Sequence, residues 1–151
     1  MNKGIKYDYT KSFIGQNFLI KNYNGYYISA ENKYGNLVQR SYRENIVDDL
    51  IWISETSTNA NGFIFLKSKN NKTVIDVSGV NGNDILGWPK NGGKNQQWKI
   101  YNFNNSDYFF IENNSTGKCI DDTGECEEGG RYQARTCEKE NKNQWFQIVL
   151  L

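Results

Sequence analysis

Histidine is missing from all 151 residues. Its absence removes Ser-His-Asp and Cys-His nucleophilic catalysis, the commonest general base, and nearly every catalytic zinc site. Long apolar runs are missing as well. No stretch approaches the length of a membrane span, so no membrane insertion is expected. The start, MNKGIKYDYTKSFIG, has no continuous apolar segment of the kind a secretory signal carries. Neither sign of charge dominates: eighteen basic residues meet seventeen acidic ones, for a formal charge of +1. With no block of like charge there is no electrostatic case for nucleic acid or an anionic membrane. Cysteine is scarce and odd in number, and three residues permit one disulfide and one free thiol.

What the chain does have is turn residues and large rings. Hydrophobic residues make up only 37% of the chain while aromatics reach 15%, so the few apolar side chains are big ones. Asn and Gly together supply 36 of the 151 residues, as a chain built mostly of hairpin turns requires. The length suits one domain, 1–151, able to bury a core.

Three segments repeat one pattern: FLIKNYNGYYIS (18–29), FLKSKNNKTVID (65–76) and FIENNSTGKCID (110–121). Each is an alternating apolar strand, a turn of Asn, Gly, Ser and Lys, and a second alternating strand, which is the form of a β-hairpin. Ile28, Ile75 and Ile120 share one register, followed by Ser29, Asp76 and Asp121. A third strand comes next in GNLVQRS, GNDILGW and GRYQART. A fourth carries a large aromatic: Trp52 in DLIWIS, Trp98 in NQQWKI and Phe146 in NQWFQI, spaced 46 and 48 residues apart. Helical periodicity is absent except in SYRENIVDDL, which could form a helical turn. Three units of four short strands, at approximately 13–58, 59–104 and 105–151, are too few and short for a propeller and suit an all-β fold, a hairpin-capped barrel: the β-trefoil.

Alternation sorts the side chains. In NQQWKI, Gln96, Trp98 and Ile100 point one way and Gln97 and Lys99 the other. Trp52, Trp98 and Phe146 are therefore expected in the barrel core. Trp145 matches Gln97 and is expected as an exposed aromatic on the outward face. Trp88 stands at the lip of the third strand before Pro89, with its ring expected at the surface.

The fourth-strand Q-x-W/F at this spacing, with VIDVSG and GWPKNGGKNQQW upstream, resembles the ricin-type (R-type) β-trefoil lectin domain with its QxW repeat. The resemblance covers almost the whole chain, with the second and third units matching well and the first poorly. It implies a carbohydrate-binding lectin. A sugar offers a C–H face that lies on an aromatic ring and a rim of hydroxyls that suit a carboxylate and an amide. In the second unit Asp76 would bind two adjacent hydroxyls, Trp88 would stack on the ring and Asn95 would bind a hydroxyl. Gln96 would hold the Asp76 carboxylate. Leu86 stands where many members carry a polar residue, which leaves the sugar preference open. The third unit keeps Asp121, Gln133, Asn143 and Gln144, with Arg135 at the aromatic position and Tyr132 expected in the core. The first unit has Ser29, Ser41 and Asp49–Leu50 in these places and is expected to be silent. The resemblance also implies one disulfide, Cys119 with Cys137, leaving Cys126 free. A disulfide favours an extracellular location, and the missing signal segment argues the other way.

Galactose- or GalNAc-containing glycans, such as those on cell surfaces, are the partners this implies, with no cofactor, metal or catalytic residue. An enzyme would need two carboxylates facing one cleft, and Asp121–Asp122 and Glu125–Glu127–Glu128 are expected to scatter over a solvated face. The main alternative is a non-catalytic trefoil subunit making protein–protein contacts in a toxin or haemagglutinin complex. A homodimer is also open.

Overall fold

The computed structural model describes residues 4–57 and 61–151. The expected boundary between 58 and 59, and the first three residues, lie outside the described residues. Strand β1 (Lys6–Asp8) comes first and pairs with a later barrel strand. The first unit holds β2 (Asn17–Asn22), β3 (Tyr27–Ser29), the two-residue β4 (Gly35–Asn36), β5 (Val38–Arg40) and β6 (Ile51–Thr56). The second holds β7 (Ile64–Ser68), β8 (Val74–Val77), β9 (Ile85–Trp88) and β10 (Trp98–Phe103). The third holds β11 (Phe110–Asn113), β12 (Lys118–Asp121), β13 (Gln133–Thr136) and β14 (Phe146–Leu150). The helical turn expected in SYRENIVDDL is present as a 3-10 turn, Glu44–Ile46, running into α1 (Val47–Leu50).

The first and fourth strands of each unit build the barrel. β2 pairs with β6, β6 with β7, β7 with β10 and β10 with β11. A bridge between Phe109 and Phe146 joins the last unit's own strands, and β14 returns to β2. The ring of six strands therefore closes, and closure removes the open backbone edges that a flat sheet would expose. The middle strands of each unit form hairpins that cap the barrel: β3 with β5, β8 with β9 and β12 with β13.

One core fills the inside. Ile20, Leu66 and Ile111 point in from the first strands, Ile28, Ile75 and Ile120 from the caps, and Trp52, Trp98 and Phe146 from the fourth strands, all fully buried. The indole N–H of Trp52 donates to the Ile28 carbonyl at 3.1 Å, and that of Trp98 to the Ile75 carbonyl at 2.9 Å. Each ring thus fills the barrel and fastens its own cap. Phe146 has no N–H to give; it packs against the buried ring of Tyr132, centroids 6.1 Å apart. The third cap hairpin is closed on itself by the disulfide between Cys119 and Cys137. Cys126 is free and exposed.

Asp122 breaks the apolar pattern. It occupies the inward position filled by Ala30 and Val77 in the other units, and it is buried with its Oδ2 lacking any hydrogen bond. Burial pushes its pKa up to about 6, with the neighbouring Asp121 adding to the rise and the Gly124 N–H working against it. A carboxyl whose pKa is higher folded than unfolded binds its extra proton in the native state, so its stabilising contribution is complete at low pH and is lost as pH rises through about 6.

Two outcomes follow for urea unfolding. Trp98→Ala should cost about 3–5 kcal/mol, and Trp98→Phe about 1–3 kcal/mol, because the buried Ile75 carbonyl loses its donor. Asp122→Asn keeps the side-chain shape and should be more stable than the wild type by about 1–3 kcal/mol at pH 7.5, with the gap closing by about pH 4.

Candidate functional site

The second-unit residues converge. β8 and β9 pair with Asp76 opposite Leu86 and Val74 opposite Trp88. Alternation along β9 sends Ile85 and Gly87 inward and leaves Leu86 and Trp88 on the outer side. A cleft of about 320 Å³ forms there, lined by Asp76, Ser78, Val80, Leu86, Trp88 and Asn95 among others. Trp88 is 46% exposed and forms one wall. Tyr34 of the first unit packs edge-on against it, centroids 5.7 Å apart, beside the cleft. The sequence reading missed Tyr34, because it arrives through the pairing of Gly35 with Gly87 across two units. No local pattern announces that pairing.

Gln96 is completely buried behind the cleft. Its side-chain amide donates to Asp76 Oδ2 and to the Pro89 carbonyl, both at 2.9 Å, and accepts from the Asn91 N–H at 2.8 Å. The expected support of the Asp76 carboxylate by Gln96 is thus present as a bond. Asp76 is 4% exposed, yet it lines the cleft beside Asn95. Burial raises its pKa, with hydrogen bonding from the Gln96 and Asn95 amides acting against the shift. Asn95 donates its side-chain amide to the Val77 carbonyl at 3.1 Å, which ties the 3-10 turn Lys94–Gln96 to the end of β8.

The third unit repeats the brace. Gln144, on the matching turn Lys142–Gln144, donates to Asp121 Oδ2 at 3.1 Å and the Thr136 carbonyl at 2.9 Å, and accepts from the Glu138 N–H at 2.8 Å. Two further donors then close off Asp121. Asn141 reaches Oδ2 at 3.4 Å and the Thr123 N–H reaches Oδ1 at 2.7 Å. The chain turns left-handed at Thr123 (φ 63°) and Gly124 (φ 79°), which swings that N–H onto the carboxylate. Asp121 is wholly buried as a result. Asn143 lies under the same turn, its side chain 3.4 Å from where a Cβ on Gly124 would sit. Gln133 and Arg135 are on the outer side of β13, while Tyr132 is in the core as expected.

The first unit corrects the sequence register by one residue. Arg40, not Ser41, is opposite Tyr27, and so it holds the position of Trp88 and Arg135. The turn before β5 is one residue shorter than its second-unit counterpart, so aligning the units on their glycines misplaced the strand. Arg40 is already engaged: it pairs with Glu31 at 2.7 Å and approaches Glu128 at 3.6 Å. The Arg40 hydrogen bond draws the Glu31 pKa down. Leu50 fills the place of Gln96 and is fully buried.

Trp145 differs from the expected exposed ring. It faces out from the barrel but is half-buried, with its N–H donated to the Lys139 carbonyl at 3.0 Å. Tyr23 and Tyr108 pack on it at 5.9 and 5.5 Å. Trp145, Tyr108, Phe103 and Phe110 line a second cleft of about 240 Å³. The acidic residues are scattered: Asp122 is in the core, Glu128 binds Ser41, Arg40 and Arg43, and Glu125 and Glu127 are on an exposed loop.

A family model described as ricin-type beta-trefoil lectin domain-like matches residues 49–125 and 94–150. No curated protein matches the chain in sequence. Among solved structures, the designed three-fold symmetric protein ThreeFoil is similar with a TM-score of 0.78 and 19% identity, over 89% of this chain and 99% of that one. The Macrolepiota procera ricin B-like lectin, solved in complex with lactose, has a TM-score of 0.74 and 17% identity, over 90% and 96%. A mosquitocidal holotoxin has a TM-score of 0.76 and 18% identity over 91% of this chain, which spans only 17% of the toxin. Enzymes such as an endo-β-galactosidase from Clostridium perfringens also contain the fold, and the chain spans 32% of that one. At these identities the likeness shows the fold alone.

The brace can be tested as a pair. Gln96→Leu removes three bonds and should cost about 2–4 kcal/mol. Asp76→Ser with Gln96→Leu recreates the first-unit arrangement of Ser29 and Leu50. The double variant should lose less than the sum of the single losses in a urea-unfolding cycle.

Proposed function

We propose that this chain, which belongs to the ricin-type β-trefoil lectin-like family, is a non-catalytic carbohydrate-binding lectin that takes up galactose- or GalNAc-type sugars in its second-unit cleft. The observation that carries the reading is the meeting of an exposed indole, a carboxylate braced by Gln96, and an amide around one small cleft. The C–H face of a pyranose lies on Trp88, with Tyr34 at its side, and two adjacent hydroxyls donate to Asp76. Asn95 reads a further hydroxyl. Gln96 positions Asp76 and touches no sugar. Residues 1–151 form the single lectin domain, with the third unit supplying a second site. The similar lectin solved with lactose is consistent with this sugar class.

A shallow one-sugar site gives millimolar to high-micromolar affinity, about 4–6 kcal/mol. Retention on a glycan-coated surface then depends on more than one site acting together. A second reading is a trefoil subunit of a toxin or haemagglutinin complex, and the partly exposed cluster of Tyr23, Tyr108 and Trp145 favours it as a protein-contact face. Cell-surface glycans and an extracellular setting belong to both readings.

Passage over lactosyl and GalNAc resins separates them. The wild type should be retarded, and Trp88→Ala and Asp76→Asn should each abolish retardation. Trp88 is at the surface, so its variant should keep the wild-type unfolding midpoint within about 0.5 kcal/mol. A wild type that passes straight through both resins and a broad glycan array favours the protein-contact reading.

A further inference from the structure

The third unit has the same brace as the second, but its cleft has the opposite polarity. Along β13 and the two residues before it, Tyr132 and Ala134 point into the core, and Arg131, Gln133 and Arg135 point outward. Successive outward residues on a strand stand roughly 6.6 Å apart. These three side chains line a cleft of about 380 Å³ together with Thr123, Glu125 and Gly129. Asp121 is not part of that lining. Both of its oxygens accept bonds from Thr123, Gln144 and Asn141, and none of its surface is exposed. The unit that should offer a carboxylate to hydroxyls offers two guanidinium groups instead.

Neither arginine is committed elsewhere. Among the described residues neither makes an ion pair, and Arg135 makes only a long 3.5 Å contact with the Gln133 side chain. Arg40, at the same register position in the first unit, is neutralised by Glu31 and Glu128. Glu125 is the one carboxylate lining the third-unit cleft, so two positive groups outweigh one negative. A guanidinium is a planar fork that pairs bidentately with a carboxylate or a sulfate, and it also lies flat on a ring face.

We propose that the third-unit cleft binds an acidic sugar, carboxylated or sulfated, with Arg131 and Arg135 holding its anionic group and Gln133 reading a hydroxyl between them. This rests on the lectin reading above and gives the two clefts different ligands: a neutral sugar on the Trp88 side, and an anionic one on the arginine side. Asp121 and Gln144 are then a structural brace in this unit, and Arg135 is a replacement for the ring platform with a selectivity of its own.

The test is calorimetric titration of the full chain with lactose, 3′-sialyllactose and lactose 3′-sulfate. Wild type, Trp88→Ala, and a double variant carrying Arg131→Gln and Arg135→Gln are compared at 50 and 500 mM salt. In the wild type at low salt, at least one acidic probe should bind about tenfold more tightly than lactose, and high salt should erode that advantage. The probe that gains identifies the anionic group as carboxylate or sulfate. The double arginine variant should lose the advantage and keep lactose binding, while Trp88→Ala should lose lactose and keep the acidic probe. Both arginines are exposed, so the variant is expected to fold. Equal binding of lactose and both acidic probes by the wild type overturns the inference and leaves the neutral-sugar reading standing. So does a preference for acid that survives the arginine changes. Lactose binding that persists in Trp88→Ala, with the arginine effect intact, sinks the reading of the second unit alone. No binding to any probe sinks both.

Discussion

Closure of the six-strand barrel is the constraint from which the rest follows. A ring of strands satisfies its own backbone groups, but only if every unit delivers a side chain large enough to fill its sector of the interior. Trp52, Trp98 and Phe146 do this from equivalent places on the fourth strand. In two units the same ring also fastens the hairpin above it, through an indole N–H on a cap carbonyl. The third has given up that donor and instead has a disulfide across the cap hairpin and a tyrosine packed on the phenylalanine. Core and cap are therefore one problem, solved twice with a hydrogen bond and once with a ring contact.

The clefts depend on that fastening. Each fourth strand begins just after a 3-10 turn, and the glutamine that ends the turn is buried between the turn and the cap. Gln96 and Gln144 each take the carboxylate of their cap, a carbonyl of the following segment and one backbone N–H. A buried amide with all these partners is rigid, because any rotation would leave several groups unpaired at once. It fixes where the aspartate stands. Whether that aspartate faces a ligand is decided by the next few residues, which leave Asp76 at the cleft and cover Asp121 with the Thr123–Gly124 turn.

Much of this was legible in the chain. The three-unit plan and the buried aromatics are periodic features that a repeat writes into the sequence more than once, and strand alternation places Trp88 outward. The Gln96–Asp76 partnership and the Cys119–Cys137 bond come from the family resemblance. What could not be read depends on contacts between units or on turn geometry. Tyr34 reaches Trp88 only because β4 lies against β9. Trp145 is half-buried because Tyr23 arrives from the first unit and Tyr108 from the segment before β11. Arg40 was misplaced by one position because a shortened turn shifts a strand without altering its composition. The burial of Asp121 depends on a left-handed threonine, a conformation that residue type rarely adopts, so the sequence gives little warning of it.

The threefold plan also constrains how the two proposed sites are held relative to one another. The second and third caps are stitched together, with Asp84 bridged to Gln133 and the Ala134 N–H bonded to the Asn83 carbonyl at 2.7 Å. Their two clefts are thus carried on one bonded pair of hairpins. If both clefts bind as proposed, the angle between their two ligands is set by the fold and not by the ligands.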